Sequence, residues 1–219
     1  MVTYDELRKN AEINTYITRA DESLSALGFT EHSFAHVCRV AEVAGGVLRT
    51  LGYDEHQVEL ARIAAYLHDI GNLVNRVDHS QSGAVMAFRI LDHMDMDAAD
   101  IATVVTAIGN HDEGNGVPVN AVAAALILAD KSDVRRNRVR NRDMAAFDIH
   151  DRVNYSVESS RLLVLPEEKV ARLELTVDTQ FSSIMDFFEI FMKRMLLCRR
   201  AAERLGLRFQ LTINGQQLI

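Results

Sequence analysis

From Tyr4 to Ser132, apolar residues recur every three or four positions, the spacing at which side chains share one face of an α-helix. Tyr4 to Leu27 reads as a helical lead-in ended by Gly28. A second helix is predicted from about Glu31 to Leu51, with Val37, Val40, Ala41, Ala44, Val47, Leu48 and Leu51 on its stripe and Gly52 as its stop. A third begins at Asp54, whose carboxylate suits an N-cap, and carries Leu60, Ile63, Ala64 and Leu67. Gly71 is read as its C-terminal cap. Further helices are predicted over about Ser80 to Met94, Ala98 to His111 and Val119 to Ser132. A loop marked by Gly114, Gly116 and Pro118 precedes the last of these.

The period changes after Ile149. Leu173, Leu175 and Val177 alternate with polar residues, as in a half-buried strand. Arg161 to Leu165 is a partner strand, with Pro166 to Lys169 as the turn. A long amphipathic helix from about Ser182 to Leu205 bears Met185, Phe188, Phe191, Met192 and Met195, a stripe expected to pack on the small sheet. Leu207 to Ile213 forms a last strand. The expected fold is mainly α: a helical bundle over 1–148 followed by a small β-β-α-β element over 149–219. The three strands leave open edges, through which two copies could pair as a homodimer.

Composition narrows the setting. The net charge of -7 argues against a protein built to coat nucleic acid. Cys38 and Cys198 follow no metal spacing and suit a reducing cytoplasm. No signal-peptide core and no apolar run of membrane-span length is present, so a cytoplasmic protein is expected.

The chemistry sits at the helix ends. His36 starts the second predicted helix, His68 and Asp69 end the third, His79 starts the fourth and His111 ends the fifth. Helices joined by short connections run antiparallel, so these residues collect at one end of the bundle. Asp130 ends the sixth helix and breaks this counting, so that helix must cross the bundle for Asp130 to join them. His36, His68, His111 and Asp130 each extend a core-facing stripe. Any one histidine could be a locally satisfied core residue, but six converging imidazoles and carboxylates need compensation, and a metal ion is the simplest.

The ordered set H…HD…H…H…D resembles the HD superfamily of metal-dependent phosphohydrolases. It is carried by HSFAHVCRVA, LHDIGN, DHSQSG, IGNHDE and LADKSD. The resemblance implies one ion held by His36, His68, Asp69 and Asp130, and a second held by His79 and His111 with Asp69 as the bridge. It implies a phosphate ester or nucleotide as substrate and a pair of divalent transition-metal ions, iron or manganese ahead of zinc or cobalt. Asn72 stands where the cyclic-dinucleotide branch has lysine, and the G-Y-P signature of that branch is missing. A diiron oxygenase and a non-catalytic nucleotide-sensing module remain alternatives.

Around this set, KSDVRRNRVRNR brings Lys131, Arg135, Arg136, Arg138, Arg140 and Arg142 close together. Lys131 and Arg135 are the first choices for phosphate recognition, since cationic forks match phosphate oxygens. No aromatics interleave the run, which argues against nucleic acid. Asp133 is expected either to support Asp130 or to act as the general acid, and Asp69 and Lys131 complete the catalytic set. Asn72 and Arg76 border the pocket as substrate contacts. His32 is expected to be exposed, His56, His93 and His150 to lie on the surface, and Cys38 to be a small buried apolar residue.

Overall fold

Polar caps decide where the stripes begin. The computed structural model describes residues 2–141 and 147–219, so Arg142 lies outside the described residues. The lead-in is two helices, α1 (Tyr4–Lys9) and α2 (Ala11–Ala26). Asn10 leaves the helical region between them, and its side chain accepts from Glu12 and Ile13 N–H to start α2. A competing side-chain acceptor thus splits one apolar stripe. Ser33 caps α3 (Phe34–Thr50), and Asp54 caps α4 (Glu55–Leu67) as its sequence suggests.

Gly71 is no C-terminal cap. It lies in a 3-10 turn, Ile70–Leu73, and is absent from the positive-φ glycines. A Cβ there would run into the His79 carbonyl and the Gly83 amide, so glycine permits the turn to press against α5 (His79–His93). Asp78, in the left-handed region at φ 57°, redirects the chain into α5. Helices α6 (Ala98–Gly109) and α7 (Ala121–Lys131) follow, with Asn120 capping α7.

A short helix, α8 (Ile149–Ser156), precedes the strands and escaped the periodicity argument. Strand β1 (Val157–Leu165) pairs antiparallel with β2 (Val170–Val177), which pairs in parallel with β3 (Arg208–Ile213). A short β4 (Gln216–Gln217) covers part of β3, so the sheet has four strands in the order β1-β2-β3-β4. Helix α9 (Ile184–Arg204) makes the β2–β3 crossover, and a Ser183–Asp186 capping box starts it.

Helix α9 packs chiefly on α7 and only secondarily on β3. Its stripe therefore divides: Phe191 and Met195 are buried, Phe188 is half-buried, and Met185 and Met192 are exposed. One hydrophobic core runs from Val2 to Ile213. Among the described residues, no helix is long and apolar enough to cross a membrane.

Candidate metal centre

Four imidazoles are held the same way round. Each Nδ1 meets an oxygen: His36 at Asp133 Oδ2 (2.8 Å), His68 at the Ala65 carbonyl (2.7 Å), His79 at the Arg76 carbonyl (3.1 Å) and His111 at the Ile108 carbonyl (2.6 Å). A carbonyl oxygen only accepts, so Nδ1 carries the proton and Nε2 presents its lone pair inward. His68 and His111 gain these partners because they sit just past the ends of α4 and α6, where helical carbonyls are free.

The Nε2 atoms and carboxylates then face one another. His36 Nε2 lies 3.5 Å from Asp69 Oδ2 and 3.4 Å from Asp130 Oδ1. His68 Nε2 lies 3.1 Å and 3.7 Å from the same two oxygens. The other Asp69 oxygen, Oδ1, is 3.6 Å from His79 Nε2, which stands 3.2 Å from His111 Nε2. Asp69 thus turns one oxygen to each side. Two overlapping sets have ligand atoms within 4.8 Å of one another: His36, His68 and Asp130, and His68, Asp69 and His111.

Five of the six side chains are buried and Asp130 is half-buried, and acceptors facing acceptors there repel unless a cation stands between them. His36 Nε2 and His68 Nε2 are buried with no hydrogen-bond donor or acceptor of their own. The protonation equilibria carry the same message. Burial favours neutral His68, yet Asp69 and Asp130 outweigh it and push its pKa up to about 10, so without a metal a proton on His68 takes the cation's place. His111, buried and close to His68 and Lys131, is pushed down to about 3. Asp69 and Asp130 resist burial and stay well below the usual carboxylate range, Asp69 chiefly through His68 and Asp130 chiefly through Lys131. Nitrogen and oxygen donors of this kind fit a divalent transition metal. Helix α7 does bring Asp130 to the cluster, the step that simple counting of helix ends did not supply.

The surroundings correct several expectations. Asp133 is buried behind His36, bonded to its Nδ1 and surrounded by Arg39, Arg135 and Arg138. Burial raises its pKa, but His36 and Arg135 hold it below the ordinary value, so it stays a carboxylate and lacks the proton a general acid needs. Arg135 forks onto Asp133 through Nε and NH2 and does not reach the cavity, so it is no phosphate contact. Asn72 also stays out of the cavity; its amide donates to the Asp69 backbone and to Oδ1 (3.0 Å), steering that carboxylate.

Lys131 and Arg76 do line a cavity of about 380 Å³ that opens onto the cluster. Lys131 Nζ lies 2.7 Å from Asp130 Oδ2 and 3.5 Å from Glu113 Oε1. Those two acids outweigh burial and raise its pKa. Arg76 NH1 is 3.3 Å from both Asn72 Oδ1 and His79 Nε2. His32, expected to be exposed, also lines the cavity, its ring 5.6 Å from that of His36. The Thr30 carbonyl binds its Nδ1 at 2.6 Å, and burial lowers its pKa.

His150 is exposed yet stands at the cavity wall, whereas His56 pairs with Asp100 and His93 binds the Arg89 carbonyl. Cys38 is half-buried rather than buried. Sequence reasoning missed Arg138 as a cavity residue and gave no signal for Phe191 and Arg194, which α9 brings in from far along the chain.

The uncharacterized protein MJ1020 of Methanocaldococcus jannaschii is 28% identical over 201 residues, covering 81% of this chain and 76% of that protein. The crystal structure of a predicted HD superfamily hydrolase from an uncultured Thermotogales bacterium matches at 26% identity and a TM-score of 0.44, covering 61% of this chain and 75% of that one. The HD domain family matches residues 33–152, more than half of the chain and every member of the histidine–aspartate cluster. The chain belongs to the HD domain family.

Proposed function

We propose that this protein is a metal-dependent phosphohydrolase acting on a small phosphate ester. The observation that carries the reading is the convergence of His36, His68, Asp69, His79, His111 and Asp130 in one cluster, of which Asp69, His79, His111 and Asp130 line the cavity beside Arg76 and Lys131. His36, His68, Asp69 and Asp130 would hold one ion, and His79 and His111 a second, with Asp69 offering an oxygen to each. When bound, such ions supply a nucleophilic water at neutral pH and charge to balance the phosphoryl oxygens.

The chain's own residues do the rest. Carbonyl and carboxylate partners on Nδ1 fix the tautomer and aim each imidazole. Asn72 steers Asp69. Arg76 and Lys131 stand where they can bind the oxygens of the reacting phosphate, and Lys131, its pKa raised, acts by charge rather than by giving up a proton. Buried apolar residues of α4 and α7 behind the cluster keep bulk water out and strengthen these interactions.

The test is metal content per chain after purification without chelator and with oxygen excluded, followed by phosphate release from a panel of phosphate monoesters. Two equivalents of metal and phosphate release, both lost in His68→Ala and Asp69→Ala, are expected. Oxygen uptake without phosphate release would replace this reading with an oxygenase. A chain that binds no iron, manganese or zinc would end it.

A further inference from the structure

The cavity extends well past the metal cluster. Ile190, Phe191 and Arg194 of α9, which lie beyond the HD family match, line another part of it, together with Asp151 and Asn154 of α8. Leu27 and Phe29 add apolar surface from the α2–α3 connection. A site for phosphate alone has no use for this apolar wall, which suits the organic part of a ligand.

Arg194 is the cation contributed by α9, with Asp148 and Asp151 as acids elsewhere in the lining. Its guanidinium lies 4.3 Å from the Phe191 ring centroid, and its Nε donates to Glu113 Oε1 at 2.8 Å. Among the described residues, no acceptor meets its two terminal nitrogens, and neither is sealed from solvent without a partner. Glu113 is shared, because Lys131 lies 3.5 Å from the same oxygen. Lys131 is in turn drawn to Asp130. Glu113 and Asp130 between them offset Lys131 and Arg194, so what Arg194 offers the cavity is not excess charge but its two open terminal donors.

Arg194 also stands apart from the reacting end. Arg76 touches His79 and Lys131 touches Asp130, whereas Arg194 makes no hydrogen bond or ion pair with the six ligand side chains and is linked to them through Glu113 and Lys131, though it feels the charge of Asp130. Its open donors therefore serve a different part of the ligand from the reacting phosphate. Held by one bond and a ring face, the fork is preorganised for a planar or tetrahedral anion.

We propose that Arg194, with Ile190 and Phe191, forms a distal subsite that takes an anionic group on the organic portion of the substrate. The substrate is then a phosphate ester whose leaving portion carries a second negative charge, a conclusion that rests on the phosphohydrolase reading above. The second anion is a carboxylate or another phosphate, since a guanidinium fork suits both.

Binding to the manganese-loaded full-length chain tests this without requiring turnover. Isothermal titration calorimetry would compare phenylphosphonate, 4-carboxyphenylphosphonate and 1,4-phenylenediphosphonate. At least one doubly anionic probe is expected to bind about tenfold more tightly than phenylphosphonate, the scale of one charge-assisted hydrogen bond. A stronger gain from the carboxylate or from the second phosphonate identifies which anion the subsite takes. Arg194→Met, which keeps the packing on Phe191, should erase the difference, and Arg194→Lys should keep part of it. Equal affinity of all three probes, or a preference that survives in Arg194→Met, overturns the distal subsite and leaves the phosphohydrolase reading standing. Failure of all three to bind overturns both.

Discussion

Asp133 shows how one buried carboxylate can serve a site without touching its cavity. It accepts from His36 Nδ1 at 2.8 Å and draws charge from Arg39, Arg135 and Arg138. Those arginines keep it ionised, and an ionised partner on Nδ1 makes the opposite nitrogen a better ligand. Replacing Asp133 with alanine should lower metal affinity about 10- to 100-fold, measured by competition against a chelating dye. Asp133→Asn retains an acceptor for Nδ1 and should lose less. An alanine variant that binds metal like the parent would remove Asp133 from any role in aiming His36. The sequence placed Asp133 near the site through its spacing from Asp130, but spacing could not say on which side of His36 it would lie. Arg135 misled for the same reason: a cation a few residues from a candidate ligand looks like a phosphate contact until its carboxylate partner is seen.

Between elements, Glu113 is the tie that joins the α6–α7 loop to α9. Burial raises its pKa, but Arg194 and Lys131 outweigh burial and bring it down to about 2 from an ordinary 4.5. A carboxylate depressed by folding stabilises the native state fully above its unfolded pKa, and that contribution fades as pH falls from about 4.5 toward 2. Glu113→Gln should therefore be less stable than the parent at pH 7 and lose less stability between pH 5 and pH 2.5. Urea unfolding across that range checks it, and parallel curves for the two proteins would contradict the tie. At this scale the stripes and caps were largely legible: Asp54 caps α4, and the helical periods place α3 to α7 within a few residues. Breaks were harder to read. Gly71 carries the same letter whether it supplies a left-handed cap or, as here, room for a close approach to His79 and Gly83. Asn10 splits the lead-in helix with a side-chain bond that no hydrophobic period reveals. The partners of α9 depend on contacts across long stretches of chain, which is why the cavity's far wall stayed hidden.

Over the whole molecule, the ligand cluster sits at the meeting point of α3, α4, α5, α6 and α7, elements that share one hydrophobic core. The core must accommodate a buried Asp69, a half-buried Asp130 and four buried imidazoles, two of whose Nε2 atoms lack partners. Without a cation the cluster opposes folding, because the unfolded chain would hydrate each of these groups. An ion that binds the folded ligand set and finds no such arrangement in the unfolded chain stabilises the fold by mass action, about 2.7 kcal/mol at a free concentration one hundred times Kd. For a chain of this length that corresponds to a rise in Tm of about 5–10 °C. Adding manganese or iron to chelator-treated protein should produce this shift in a calorimetric scan. His68→Ala should abolish it, because His68 belongs to both overlapping sets and no other side chain replaces its Nε2. His79→Ala should leave a smaller shift, since His36, His68 and Asp130 remain together. An equal Tm with and without metal would mean that the fold tolerates its buried acceptors unaided, and the metal centre would then lose its part in stability.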